Sequence, residues 1–130
     1  MFDSRKMFAT VAVDDVEKAR QFYGQTLGLP VEDGDQPGII QIKGDGRDPQ
    51  FVIYPKPFHE PANFTVLNFP VDDVDRAVEE LTAAGIRMEH YDRDDIKTDK
   101  KGIMHGDGMA IAWFRDPAGN ILSVVSEDKS

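Results

Sequence analysis

Residues 13–19 read VDDVEKA and residues 71–77 read VDDVDRA. The copies differ only at Glu17 against Asp75 and Lys18 against Arg76, so the charge pattern is kept from Val13 to Ala19 and again from Val71 to Ala77. A repeat of this kind in a chain of 130 residues asks for a duplicated structural unit. What surrounds each copy shows what the unit is. Ahead of the first lies FATVAV (Phe8–Val13), and ahead of the second FTVLNFPV (Phe64–Val71); both have the alternating, β-branched and aromatic character of strands. Within each copy a carboxylate, Asp14 or Asp15 and Asp72 or Asp73, stands where an N-cap accepts hydrogen bonds from unpaired backbone N–H groups. Behind it Val16, Ala19, Phe22, Tyr23 and Leu27, and Val74, Ala77, Val78 and Leu81, recur at helical spacing. Gly28 and Gly85 stop the helices.

Further strand candidates follow each helix: Gly38–Lys43 and Phe51–Tyr54 in the first half; Arg87–Tyr91, Met109–Arg115 and Ile121–Ser126 in the second. RDPAGN (Arg115–Asn120) joins the last two, with proline early and Gly-Asn late as a hairpin connection requires. YDRDDIKTDKKG (Tyr91–Gly102) reads as a solvated loop. Each half is therefore a βαβββ module. The expected fold is α+β, about eight strands in a single domain over residues 1–130, with modules at about 5–60 and 61–130.

Composition narrows the function. There are no cysteines, which excludes disulfides, thiolate zinc sites and a cysteine nucleophile. It is also consistent with the cytoplasm, where the protein is expected to reside. No apolar run suits a signal peptide or a membrane span. The net charge of −9 argues against nucleic acid and mildly favours a cationic ligand.

The paired modules, the helix signature RQFYGQTLGL (Arg20–Leu29) and the closing WFRDPAGNILSVV (Trp113–Val125) resemble the vicinal oxygen chelate superfamily. That superfamily includes glyoxalase I, extradiol dioxygenases, fosfomycin-resistance enzymes and bleomycin-resistance proteins. The resemblance implies two modules curling a mixed sheet into a cup, and commonly a homodimer. In the metalloenzymes of the family a divalent ion is held from four positions. By the resemblance these fall on Phe8, on Val66, on Ser123, and in the strand QFVIY (Gln50–Tyr54), whose register is open. None of these side chains is a histidine or carboxylate, so neither an inherited metal nor another cofactor is expected.

Strand alternation then separates two faces. Ala9, Val11 and Val13, with Leu67, Phe69 and Val71, belong under the helices. The opposite set, Phe8, Thr10, Val66, Asn68, Ile121, Ser123 and Val125, is expected to line the cup. It combines apolar walls with a few orienting hydroxyl and amide groups, as small-molecule pockets do. Of the neighbours Trp113 and Phe114, one should pack under a helix and the other face the cup, where it can stack on a planar or cationic ligand. Among the histidines, His59 and His90 each adjoin a glutamate, a poor chelating arrangement in extended chain. His105 could share a side with Asp107 if that segment is extended, and is the one candidate acid or base.

Two functions fit these residues. The first is metal-free binding of a small organic ligand, aromatic or cationic, as in the bleomycin-resistance branch. The alternative is a glyoxalase-like lyase or isomerase, or another enzyme, using a relocated metal or His105.

Overall fold

In the computed structural model, which describes residues 1–44 and 49–127, the repeated aspartates are helix caps. The Asp15 carboxylate accepts from the backbone N–H groups of Glu17 (3.0 Å) and Lys18 (3.2 Å), and that of Asp73 from Arg76 (3.2 Å). These N–H groups have no partner inside the helix, so a short acceptor just ahead of it stabilises the first turn. Helix α1 (Val16–Arg20) continues as a π-helical turn over Gln21–Thr26, where the Leu27 N–H reaches the Phe22 carbonyl at 2.9 Å. Helix α2 spans Val74–Ala83. It is closed by bonds from Gly85 to Thr82 and from Ile86 to Leu81, both 3.0 Å. Gly85 takes φ +91° to make them, a conformation that glycine reaches without steric cost.

The chain divides into two compact units, Met1–Pro61 and Ala62–Ser130. The first carries β1 (Ala9–Val13), β2 (Val31–Asp33), β3 (Ile40–Lys43) and β4 (Pro49–Pro55), in the order β1-β4-β3-β2. The second carries β5 (Thr65–Pro70), β6 (Ile103–Gly106), β7 (Met109–Arg115) and β8 (Ile121–Glu127), in the order β5-β8-β7-β6. In both, the first strand runs parallel to the last and the other pairs are antiparallel. The repeat is thus a repeat of topology, and the fold is α+β with two βαβββ modules.

In the first unit Val11, Val13, Ile40, Ile42, Phe51 and Ile53 share one face by register, and all are buried. Ala19 and Tyr23 from the helical segment are buried with them, and the Tyr23 and Phe51 rings lie 6.5 Å apart. In the second unit the corresponding face holds Ala110, Ala112, Phe114, Leu122 and Val124, while α2 buries Val74 and Val78.

Two local expectations are corrected, and one strand that the sequence did not suggest is added. Residues 87–91 are not a strand; that stretch makes one ladder-like bond, Glu89 N–H to the Trp113 carbonyl at 2.8 Å, and the place beside β7 is taken by Ile103–Gly106. Val31–Asp33 forms a short edge strand that its charged sequence concealed. His105 and Asp107 do not lie in one extended run. Asp107 (φ +53°) and Gly108 (φ +76°) make the tight turn between β6 and β7, with both central residues in the left-handed region, as a two-residue hairpin prefers.

Candidate functional site

The face of the second sheet that does not carry Phe114 and Leu122 is defined by its register. Asn68 on β5 stands beside Ser123 on β8, and Ser123 beside Trp113 on β7. Ile121 and Val125 alternate with Ser123 on the same side. Asn68, Ser123, Trp113, Ile121 and Val125 are therefore brought together, as neighbours across three strands. Phe114 is on the opposite face and fully buried.

Hydrogen bonds fix this face. The Ser123 hydroxyl, wholly buried, donates to the Asn68 side-chain carbonyl at 2.5 Å. That bond leaves the amide nitrogen of the exposed Asn68 as a donor whose orientation is set from beneath. The Trp113 indole N–H donates to the Thr65 hydroxyl at 3.1 Å, and the Tyr91 ring meets the indole edge-on with centroids 5.6 Å apart. The Arg93 guanidinium lies over Tyr91 at 5.2 Å. Trp113 is itself buried, 7% exposed. It therefore supports the face, and Thr65, Asn68 and Val125 reach its surface.

Thr65 is a residue the sequence reading missed. Alternation from Asn68 selects Val66, but the ladder shifts between Thr65 and Leu67: Thr65 pairs with Ile121 and Leu67 with Leu122. Val66 is the extra residue of a bulge, and Thr65 stands level with Ile121 instead. Arg115 lies further along the same face, donating to Glu89 and, at 3.0 Å, to the Gly119 carbonyl. Its bond to Glu89 raises the guanidinium further above its ordinary range.

In the first unit Thr10, Val52, Tyr54, Gln41, Lys43 and Glu32 share the face opposite the buried one. Phe8 lies just ahead of β1 with its ring about half exposed (54%). The Glu32 carboxylate accepts from Gln41 (2.7 Å) and pairs with Lys43 (3.0 Å). These contacts, Gln41 first, hold it below its ordinary value.

The register also fixes the position that the sequence left open. Thr10 pairs with Val52 as Asn68 pairs with Ser123, so Val52 is the first-module counterpart of Ser123. The positions are then Phe8 and Val52 in the first module, and Ser123 and Val66 in the second, with Thr65 standing level in place of the bulged Val66. Phe8, Val52 and Val66 have no lone pair to give, the Thr65 hydroxyl holds the Trp113 indole N–H, and the Ser123 hydroxyl is committed to Asn68. This donor set does not fit a divalent ion. Among the described residues no group of three or more His, Asp or Glu is placed to hold a metal.

His105 lies elsewhere. It pairs with Ala110, on the side of the sheet that carries Ala112 and Val124, and its Nε2 is 3.2 Å from the Asp99 carboxylate. Asp99 also accepts from the backbone of Ile103 and Lys101, both at 2.9 Å. Burial alone would raise its carboxyl, but the Ile103, Lys101 and His105 bonds outweigh it and hold the group below its ordinary value of 3.8. A depressed carboxyl contributes stability above its unfolded value and loses it as pH falls through the folded one. The loop is therefore expected to keep both backbone bonds at pH 3.8 and release them only in stronger acid. Amide shifts of Lys101 and Ile103 during acid titration check this; a midpoint at or above 3.8 contradicts it.

Two βαβββ modules of identical strand order define a glyoxalase-like α+β fold. The chain belongs to the Glyoxalase/Bleomycin resistance protein/Dioxygenase superfamily, whose family model matches residues 7–124. A glyoxalase/bleomycin resistance protein from Streptomyces sp. CB03234 is 27% identical, with 90% of this chain and 96% of that one covered and a TM-score of 0.61. Lactoylglutathione lyase from Agrobacterium tumefaciens is 23% identical over 92% of each chain, TM-score 0.63. A glyoxalase/bleomycin resistance protein/dioxygenase from Nocardioides is 18% identical over 99% of this chain and 88% of that one, TM-score 0.63. No curated protein matches the chain in sequence. Among the described residues no helix is long and apolar enough to cross a membrane.

Proposed function

We propose that this protein binds a small organic ligand without an inherited metal, using the Asn68 face of its second sheet. The observation that carries the reading is the Ser123–Asn68 hydrogen bond. At a position where the family's metalloenzymes place a carboxylate ligand, a neutral hydroxyl instead aims a neutral amide. Apolar and hydroxyl neighbours, Val125 and Thr65, complete a surface suited to shape, apolar contact and a few directed bonds. The net charge of −9 supports an aromatic or cationic ligand. His105, on the other face and bonded to Asp99, has no part in this reading. The absence of cysteine supports a cytoplasmic setting. Exposed Met1, Phe2, Met7, Phe8 and Phe64 support a homodimer that covers them, and light scattering giving only the monomer mass would refute that part.

The binding reading is tested by a thermal-shift screen of aromatic and cationic compounds, followed by titration of hits against two variants. Ser123→Ala removes the bond that orients Asn68. It is expected to weaken the hit by about 0.5–1.5 kcal/mol and to cost a similar amount of stability. Phe8→Ala is expected to leave the fold nearly intact, within about 1 kcal/mol, because the ring is half exposed and leaves no closed cavity. A ligand contact at Phe8 would show as roughly 1–3 kcal/mol of lost binding. Hits indifferent to both substitutions would place the site elsewhere.

A further inference from the structure

A groove of about 670 Å³ in the second unit shares no residue with the Asn68 face. Val78 and Thr82 of α2 line it together with Ile86, Arg87 and Met88 of the segment that follows, and with Lys100 and Lys101 of the later loop. Val78 and Met88 are almost completely buried, so the base is apolar and packed. The Lys100–Gly102 segment is held tightly against it. A side chain at Gly102 would meet the Glu89 carbonyl at 2.8 Å and the Met88 side chain at 3.2 Å. At the end of α2 the carbonyls of Glu80, Leu81 and Thr82 accept from Ala84, Gly85 and Ile86, which closes its last turn.

The charge of this groove opposes that of the chain. Its cations are Arg87, Lys100 and Lys101, and its one carboxylate is Glu79. Lys101 is committed: its Nζ lies 2.9 Å from Glu79 and 3.2 Å from Asp75. Arg87 and Lys100 have no carboxylate partner among the described residues. At physiological salt the screening length is about 8 Å. A ligand in the groove therefore responds to these two cations more than to the net charge spread over the surface.

We propose that the groove binds a small organic anion with an apolar body, its carboxylate or phosphate head on Arg87 and Lys100 and its body on Val78, Ile86 and Met88. The volume is within the usual range for a small-molecule site, about 300–1,000 Å³. The head-group cations are exposed and charged, and the base beneath them is apolar, so both parts of such a ligand are matched.

The test is titration of isotope-labelled protein with octanoate, octyl phosphate and octyltrimethylammonium, three probes that share one apolar tail. The anions are expected to shift the amides of Thr82, Ile86, Arg87 and Lys100 saturably, with the ammonium weaker by about tenfold. Binding of either anion supports the proposal, and the tighter one identifies the head group. The double variant R87Q/K100Q should lose about tenfold in anion affinity with an unchanged melting temperature, since both side chains are exposed. Equal binding of the ammonium, unchanged affinity in the variant, or shifts confined to other residues would overturn it.

Discussion

Asp116→Ala is expected to lower the stability of the protein by about 3–5 kcal/mol, read as a shift of the denaturant midpoint. The side chain is buried in the turn between β7 and β8 and works as an acceptor hub. One oxygen takes the backbone N–H groups of Ala118 and Asn120, both at 2.9 Å, and the other takes the Asn120 side-chain amide at 2.9 Å. Alanine leaves three donors without this partner in a place where Asn120 is 1% exposed, and each unsatisfied buried donor costs about 1–3 kcal/mol before relaxation. Asp116→Asn should cost less, about 1–3 kcal/mol, because one oxygen remains but an amide then confronts the Asn120 amide. The double variant D116N/N120D restores a donor opposite an acceptor and should recover part of that loss. If D116A is no less stable than the native protein, the turn is held by Pro117 and Gly119 alone and the hub is unimportant.

That turn was legible from RDPAGN because proline and glycine carry their conformational demands with them. The helix starts were legible for the same reason: a capping aspartate acts on backbone two and three residues away. What failed was whatever depends on partners distant in sequence. Arg87–Tyr91 alternates as a strand should, yet the ladder beside β7 goes to Ile103–Gly106. The signal for it is Asp107-Gly108, a two-residue hairpin turn that excludes an extended His105–Asp107 pair. Val31–Asp33 was hidden because an exposed edge strand needs few apolar residues.

The candidate site divides along the same line. Alternation placed Ser123, Asn68, Ile121 and Val125 on one face, and the register agrees. Thr65 could not be found that way, because one bulged residue at Val66 resets the alternation, and nothing in FTVLNFPV marks it. Nor could the Ser123–Asn68 bond be read from residues 55 positions apart. It exists because β5 and β8 run parallel with those two residues level, and the register is decided by the packing of the whole face.

Neighbouring aromatics on β7 give the sharpest contrast. Phe114→Ala is expected to cost about 3–5 kcal/mol of stability, because Phe114 is 1% exposed on the face shared with Ala112, Leu122 and Val124, and removing its ring opens a cavity that strand backbone cannot collapse to fill. Trp113 points the other way. Trp113→Phe keeps most of the buried apolar area and loses the indole bond to Thr65, so its expected cost is smaller, about 1–2 kcal/mol. The two variants should separate in function as well. At a temperature where both are folded, F114A should bind a ligand of the Asn68 face with native affinity. W113F should bind it less tightly, because the Thr65 hydroxyl that reaches that face is no longer fixed from below. Denaturant midpoints and ligand titrations on the same preparations measure both effects. A ligand whose affinity falls in F114A but not in W113F would place its site on the helix side of the sheet, with Leu122 and Val124, and would overturn the assignment of the Asn68 face.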